Sequence, residues 1–117
     1  MEKLRLIARE MREYALAHVR TSSVGEIAPY RRELGRGLRL VLYLDVMRTW
    51  HLSLYRPDVF PSPPEIQIVR RDFSVPEDAK MSRQEVGGWF IVRLEWREAE
   101  QVKLFEVAPV ERSYYEQ

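Results

Sequence analysis

The chain has 117 residues, 45% of them hydrophobic and 32% charged, with a net charge of +1. These values exclude an intrinsically disordered chain and predict a single domain, 1–117, with enough apolar side chains for a modest core of its own. The lack of cysteine excludes disulfides and cysteine-based chemistry, and the charged start MEKLRLIARE with no long apolar run predicts a cytoplasmic, non-membrane protein.

Residues 3–19, KLRLIAREMREYALAHV, carry Leu4, Ile7, Ala8, Met11, Tyr14, Ala15 and Val19 at steps of three and four. That spacing puts them on one face of a helix, with Arg5, Arg9, Glu10, Arg12 and Glu13 on the other. Residues 21–37 read as a connector. Within it, APYRREL suggests one or two helical turns, with Pro29 in the first turn and Gly35 as a stop.

At Leu38 the period changes from 3.6 to two. In 38–47, LRLVLYLDVM, the residues Leu38, Leu40, Leu42, Leu44 and Val46 alternate with Arg39, Val41, Tyr43, Asp45 and Met47, the pattern of a strand. A second alternating run, 50–56, sets Trp50, Leu52 and Leu54 against His51, Ser53 and Tyr55. The two runs predict an antiparallel hairpin, although Arg48-Thr49 lacks the usual Gly or Asn turn chemistry.

Four prolines then fall between residues 57 and 64, followed by EIQIVRRDF. The decisive signal is Ser62-x-x-Glu65, a capping box, with Pro63 at the first helical position, where its missing N–H costs nothing. Ile66, Val69 and Phe73 then share a face. A helix over 63–73 accounts for Ser62, Pro63, Glu65 and Phe73 together; a strand accounts only for the two isoleucines. Residues 74–88 read as a polar loop with a turn of helix near 82–86. The run 89–96 is a strand with Phe90, Val92, Leu94 and Trp96 on one face. REAEQ is a turn, 101–107 a last strand, and 110–117 a flexible tail. The predicted fold is therefore α+β: about four antiparallel strands with both helices packed on one face. The final strand, as an edge, makes a homodimer through strand pairing one expectation.

Three groups of residues invite functional readings. His51, Ser53 and Tyr55 share one strand face, and with Arg56 they form a candidate binding surface. As an enzyme site the row is weak, because His51 and Ser53 on one strand are poorly placed for proton transfer and no third orienting group is evident. Tyr30, Arg31, Arg32, Arg36 and Arg39 form the densest basic segment, with aromatic and phosphate-binding character. Residues 1–39 carry nine basic and five acidic side chains, whereas 87–117 carry four and six. Arginine outnumbers lysine 16 to three, a composition typical of a GC-rich genome and compatible with a thermophile. Two separated histidines, His18 and His51, without HExxH or an acidic cluster, predict no metal site, and no phosphate loop or cofactor motif is present, so no cofactor is expected.

Trp50, His51, Ser53, Arg56, Pro57, Pro61, Ser62, Glu65, Val69 and Phe73 form a recognisable series. The series resembles a pattern in a family of small uncharacterised phage and prophage proteins: Trp-His, a short strand containing Ser, Arg-Pro, then Pro-Ser/Thr-x-x-Glu opening a helix. The match spans about a fifth of the chain. The family's later His-Pro-Pro and Asn-His segments are absent, and GGWFIVRLEW stands in their place. The resemblance implies a phage or mobile-element context and no mechanism. The expectations are thus, first, a non-catalytic module binding a partner protein; second, a nucleic-acid binder using Arg31–Arg39; third, an enzyme using His51.

Overall fold

A computed structural model describes residues 1–21 and 27–97, with side chains described except at positions 18–21, 27, 28 and 36. Helix α1 spans Glu2–Thr21, and its Leu4, Ile7, Ala8, Met11 and Ala15 are buried along one face. Five strands follow in one antiparallel sheet: β1 (Ile27–Glu33), β2 (Arg39–Leu44), β3 (Thr49–Arg56), β4 (Lys80–Val86) and β5 (Trp89–Arg97), in spatial order β1-β2-β3-β5-β4. Helix α2 (Pro63–Phe73) connects β3 to β4 and packs against α1. The architecture is α+β, as expected; among the described residues the sheet has five strands against about four expected, and β1 and β4 lie where the sequence pattern suggested none.

One sheet face builds the core. Leu40, Leu42, Leu44, Trp50, Leu52, Leu54, Val92, Leu94 and Trp96 meet the buried faces of α1 and α2. Phe73 closes edge-on against Trp96, ring centroids 5.5 Å apart. This is the alternation of the sequence made solid: within the central strands β2, β3 and β5 every second residue leaves water.

The opening of α2 is a capping box. Glu65 N–H donates to Ser62 Oγ (3.3 Å), and Ser62 N–H donates to Glu65 Oε1 (2.8 Å). At the far end Ser74 takes a left-handed conformation, and Val75 N–H donates back to Arg70 O, satisfying carbonyls the helix leaves open.

Three expectations need correction. Residues 27–33 are a strand and not helical turns. Pro29 sits where the β1–β2 register shifts, at the sheet edge, where its missing N–H breaks no ladder. The stretch 80–86 is a strand and not a loop. It is an edge strand with most of its side chains exposed, so neither face had to be apolar. Gly87 and Gly88, both at positive φ, make the two-residue turn into β5. Strand β2 ends at Leu44 and not at 47. Asp45 begins the turn, Arg48 N–H donates to Asp45 O, and Arg48 adopts φ 64°. Val46 and Met47 are therefore exposed at the turn tip instead of lying on strand faces. The expected turn at 97–101, strand at 101–107 and tail at 110–117 lie wholly or mostly outside the described residues.

Candidate functional site

The second face of the sheet has no described helix over it. Its side chains form three rows across the strands. One row reads Glu33, Arg39, Tyr55, Ile91, Gln84, the middle row Arg31, Val41, Ser53, Arg93, Ser82, and the third Tyr43, His51, Glu95, Lys80. Trp89 lies beyond the first row at the start of β5. The Arg39 guanidinium stands 4.8 Å from the Trp89 ring centroid, and Tyr55 meets the same ring edge-on at 6.0 Å. Arg39 also pairs with Glu33 at 3.1 Å. Aromatic faces and guanidinium planes stack favourably, by about 0.5–1 kcal/mol at exposed sites.

His51 is buried on this face, only 8% exposed, because its neighbours lie over it. The Tyr43 ring stacks parallel on the imidazole at 4.6 Å. Asp45 Oδ2 sits 2.9 Å from His51 Nε2, and Glu95 Oε2 lies 3.8 Å from Nδ1. An ionised carboxylate only accepts, so Nε2 carries the proton it shares with Asp45. Nδ1 has no hydrogen-bond partner among the described residues. The other oxygen of Asp45, Oδ1, accepts from Met47 N–H (2.9 Å) and Thr49 N–H (3.0 Å). Burial pushes the Asp45 carboxyl up, but the hydrogen bonds from His51, Thr49 and Met47 outweigh it and hold the group below its ordinary value. Asp45 therefore fastens the β2–β3 turn to the ring at the start of β3, which is the turn chemistry that Arg48-Thr49 lacked.

The expected surface of His51, Ser53, Tyr55 and Arg56 divides. The first three share the open face. Arg56 points to the helix side, 3.5 Å from Glu65 Oε2 and 4.0 Å from Asp58. Since Glu65 also caps α2, Arg56 and the Ser62-x-x-Glu65 box join the end of β3 to the start of α2. Their role here is structural. The basic segment divides too. Arg32 turns toward α1, donating to Glu10 at 2.6 Å and to the Tyr30 hydroxyl at 3.1 Å, while Tyr30 packs on Tyr14. Arg31 and Arg39 occupy the opposite face of the sheet. Tyr30, Arg31, Arg32 and Arg39 thus do not form one basic surface, and the Arg36 side chain lies outside the described ones.

A cleft of about 390 Å³ lies elsewhere, lined by Met1, Lys3, Leu4, Leu34, Gly35, Leu38, Arg56 and Glu65. It does not include His51 or Ser53. Among the described residues no group of three or more His, Asp or Glu side chains converges as metal ligands, and no described helix is long and apolar enough to cross a membrane. No family model matches the chain, and no curated protein or solved structure shows significant similarity to it.

Sequence reasoning passed over Tyr43, Trp89 and Arg93 as site members. Their signal was available: WFIVRLEW alternates, so Trp89, Ile91, Arg93 and Glu95 had to share the face opposite Val92 and Leu94. What the sequence withheld was the strand order that sets Arg93 between Ser53 and Ser82.

Proposed function

We propose that the chain is a non-catalytic interaction module that binds a partner protein through the helix-free face of its sheet. One observation carries this reading: Tyr43, Tyr55, Trp89, Arg39 and Arg93 are all partly buried on that face without a described element covering them. Tyr, Trp and Arg are the residue types that dominate binding energy at protein interfaces. Held half-buried by their neighbours, they lose little freedom on binding.

The other two readings have weaker support. Arg32 and Arg39 are already engaged by Glu10 and Glu33, and Arg31 and Arg32 lie on opposite faces of the sheet, so the described arginines of the segment offer no continuous basic strip to a phosphate backbone. His51 is held by Asp45 and covered by Tyr43, and Ser53 makes no hydrogen bond to it, so the row lacks an activated nucleophile. The phage or mobile-element origin rests on the pattern at 50–73, and a cytoplasmic location accords with the absence of cysteine.

A photo-crosslinking residue tests the reading. Placed at Gln84 on the open face, it is expected to capture one protein from an extract of the source organism. Placed at Glu13, exposed on α1, it is expected not to. Capture lost in a Tyr55→Ala/Trp89→Ala background supports the proposal. Identical products from both positions, or no product from Gln84, would sink it.

A further inference from the structure

The three rows of the open face differ in charge balance. In the first, Arg39 has Glu33; in the third, Lys80 stands opposite Glu95. The middle row has two arginines, Arg31 and Arg93, and no acid. Neither arginine has an ion-pair partner among the described residues. Arg93 Nε is buried and has no hydrogen-bond partner among the described residues. On either side of it, directly opposite, stand Ser53 and Ser82, with Cβ atoms about 5 Å away by ordinary cross-strand geometry. Ser53 is 4% exposed.

A buried guanidinium N–H without an acceptor is unfavourable by about 1–3 kcal/mol. Arg93 as a whole is only partly buried, so an acceptor arriving from outside meets the remaining nitrogens of the same guanidinium. A guanidinium fork flanked by two hydroxyls suits a carboxylate, which takes two parallel N–H donors and further O–H donors. Spacing extends the argument. Arg31 lies three strands from Arg93, or about 14 Å at the usual interstrand distance. In an extended chain, residues i and i+4 point the same way and are also about 14 Å apart. A phosphodiester backbone fits less well, since Val41 separates the two cations and no third one bridges them.

We propose that the middle row of the open face, Arg93 with Ser53 and Ser82 at one end and Arg31 at the other, binds an extended acidic segment of the partner protein, with carboxylates four residues apart. This inference rests on the reading of the face as a protein-binding surface and specifies what that partner presents.

The probe is a capped heptapeptide with glutamates at its second and sixth positions in a Thr/Ser background, added to the full-length protein and followed by NMR at the Arg93 Nε–H resonance. The expected result is a saturable shift of that resonance and of the Ser53 and Ser82 amides. Affinity should fall at least tenfold in Arg93→Gln, and less in Arg93→Lys, which keeps the charge but not the fork. The matching glutamine peptide, and one with its glutamates three residues apart, should bind at least tenfold more weakly. No binding, equal binding by the glutamine peptide, or equal affinity in a folded Arg93→Gln variant overturns the proposal. So does inorganic phosphate shifting the resonance when the peptide does not. A resonance already displaced in the free protein, and restored when the glutamates beyond residue 97 are changed to glutamine, overturns it in favour of the chain's own C-terminal segment. If crosslinking from Gln84 captures a partner equally well with Arg93→Gln, the inference fails and the interaction reading stands. If the peptide binds at Arg93 while no protein is captured, the interaction reading fails and the carboxylate site stands.

Discussion

Leu52 and Ser53 are neighbours on β3, both nearly inaccessible to solvent, yet they belong to different materials. Leu52 sits in a dry layer of leucines, tryptophans and helix faces. Ser53 sits on the open face between Val41 and Arg93, on the strand that carries His51, and Arg93 Nε and His51 Nδ1 are buried without hydrogen-bond partners among the described residues. The first face is closed by apolar packing, and its unpartnered polar atoms among the described residues are two indole nitrogens, Trp50 Nε1 and Trp96 Nε1. The second buries an imidazole nitrogen, His51 Nδ1, and a guanidinium nitrogen, Arg93 Nε, without such partners. Low exposure alone therefore does not mark a core; the two faces differ in what they bury, hydrocarbon on one and ionisable groups on the other.

The difference is sharpest as a pair of truncations. Leu52→Ala removes a fully buried side chain and is expected to cost about 2–5 kcal/mol in urea unfolding. Ser53→Ala removes a single hydroxyl from the open face and should stay within about 0.5 kcal/mol. Similar losses at both positions would mean that the open face is a second core.

A smaller effect concerns Asp45, whose carboxyl is held below its ordinary 3.8. Its stabilisation is complete above that value and is lost as pH falls through the lower, folded value. Asp45→Asn should abolish this component of the acid limb below 3.8 and destabilise the neutral protein by about 1–2 kcal/mol. A wild-type acid limb that survives unchanged in the variant would show that the turn does not depend on the charge.

Smaller still, Arg93→Met removes a buried unpaired N–H while keeping the aliphatic stem. It is expected to leave stability unchanged or raise it by up to about 1 kcal/mol. A loss of more than that would give Arg93 a structural role in the isolated chain. Finally, Tyr55→Ala/Trp89→Ala should move the thermal midpoint by only a few degrees, consistent with about 1 kcal/mol, while abolishing capture from Gln84. A large drop would mean that the aromatics serve folding first.

The sequence made some elements plain and hid others for identifiable reasons. Ser62 and Glu65 announced α2 because a cap is a local device whose partners lie three residues apart. The central strands were visible because one of their faces is fully buried and so strictly apolar. β1 and β4 were not, because an edge strand has little to bury: Lys80, Met81, Arg83, Glu85 and Val86 are all exposed, and Pro29 interrupts β1. The Gly87-Gly88 pair before WFIVRLEW was the available clue to β4. On the open face, His51, Ser53 and Tyr55 could be placed together from one strand's alternation. Their relation to Arg93 and Tyr43 depended on which strands lie side by side, and periodicity within a strand is silent on that.

The strand order also imposes a schedule. β3 is completed early in the chain, but its second neighbour is β5, the last described strand, which arrives only after α2 and β4. During synthesis, the growing polypeptide therefore displays an unzipped central ladder until the β4–β5 hairpin emerges and inserts beside it. That long wait predicts a late, loop-closure-limited docking step and a nascent chain prone to self-association until then.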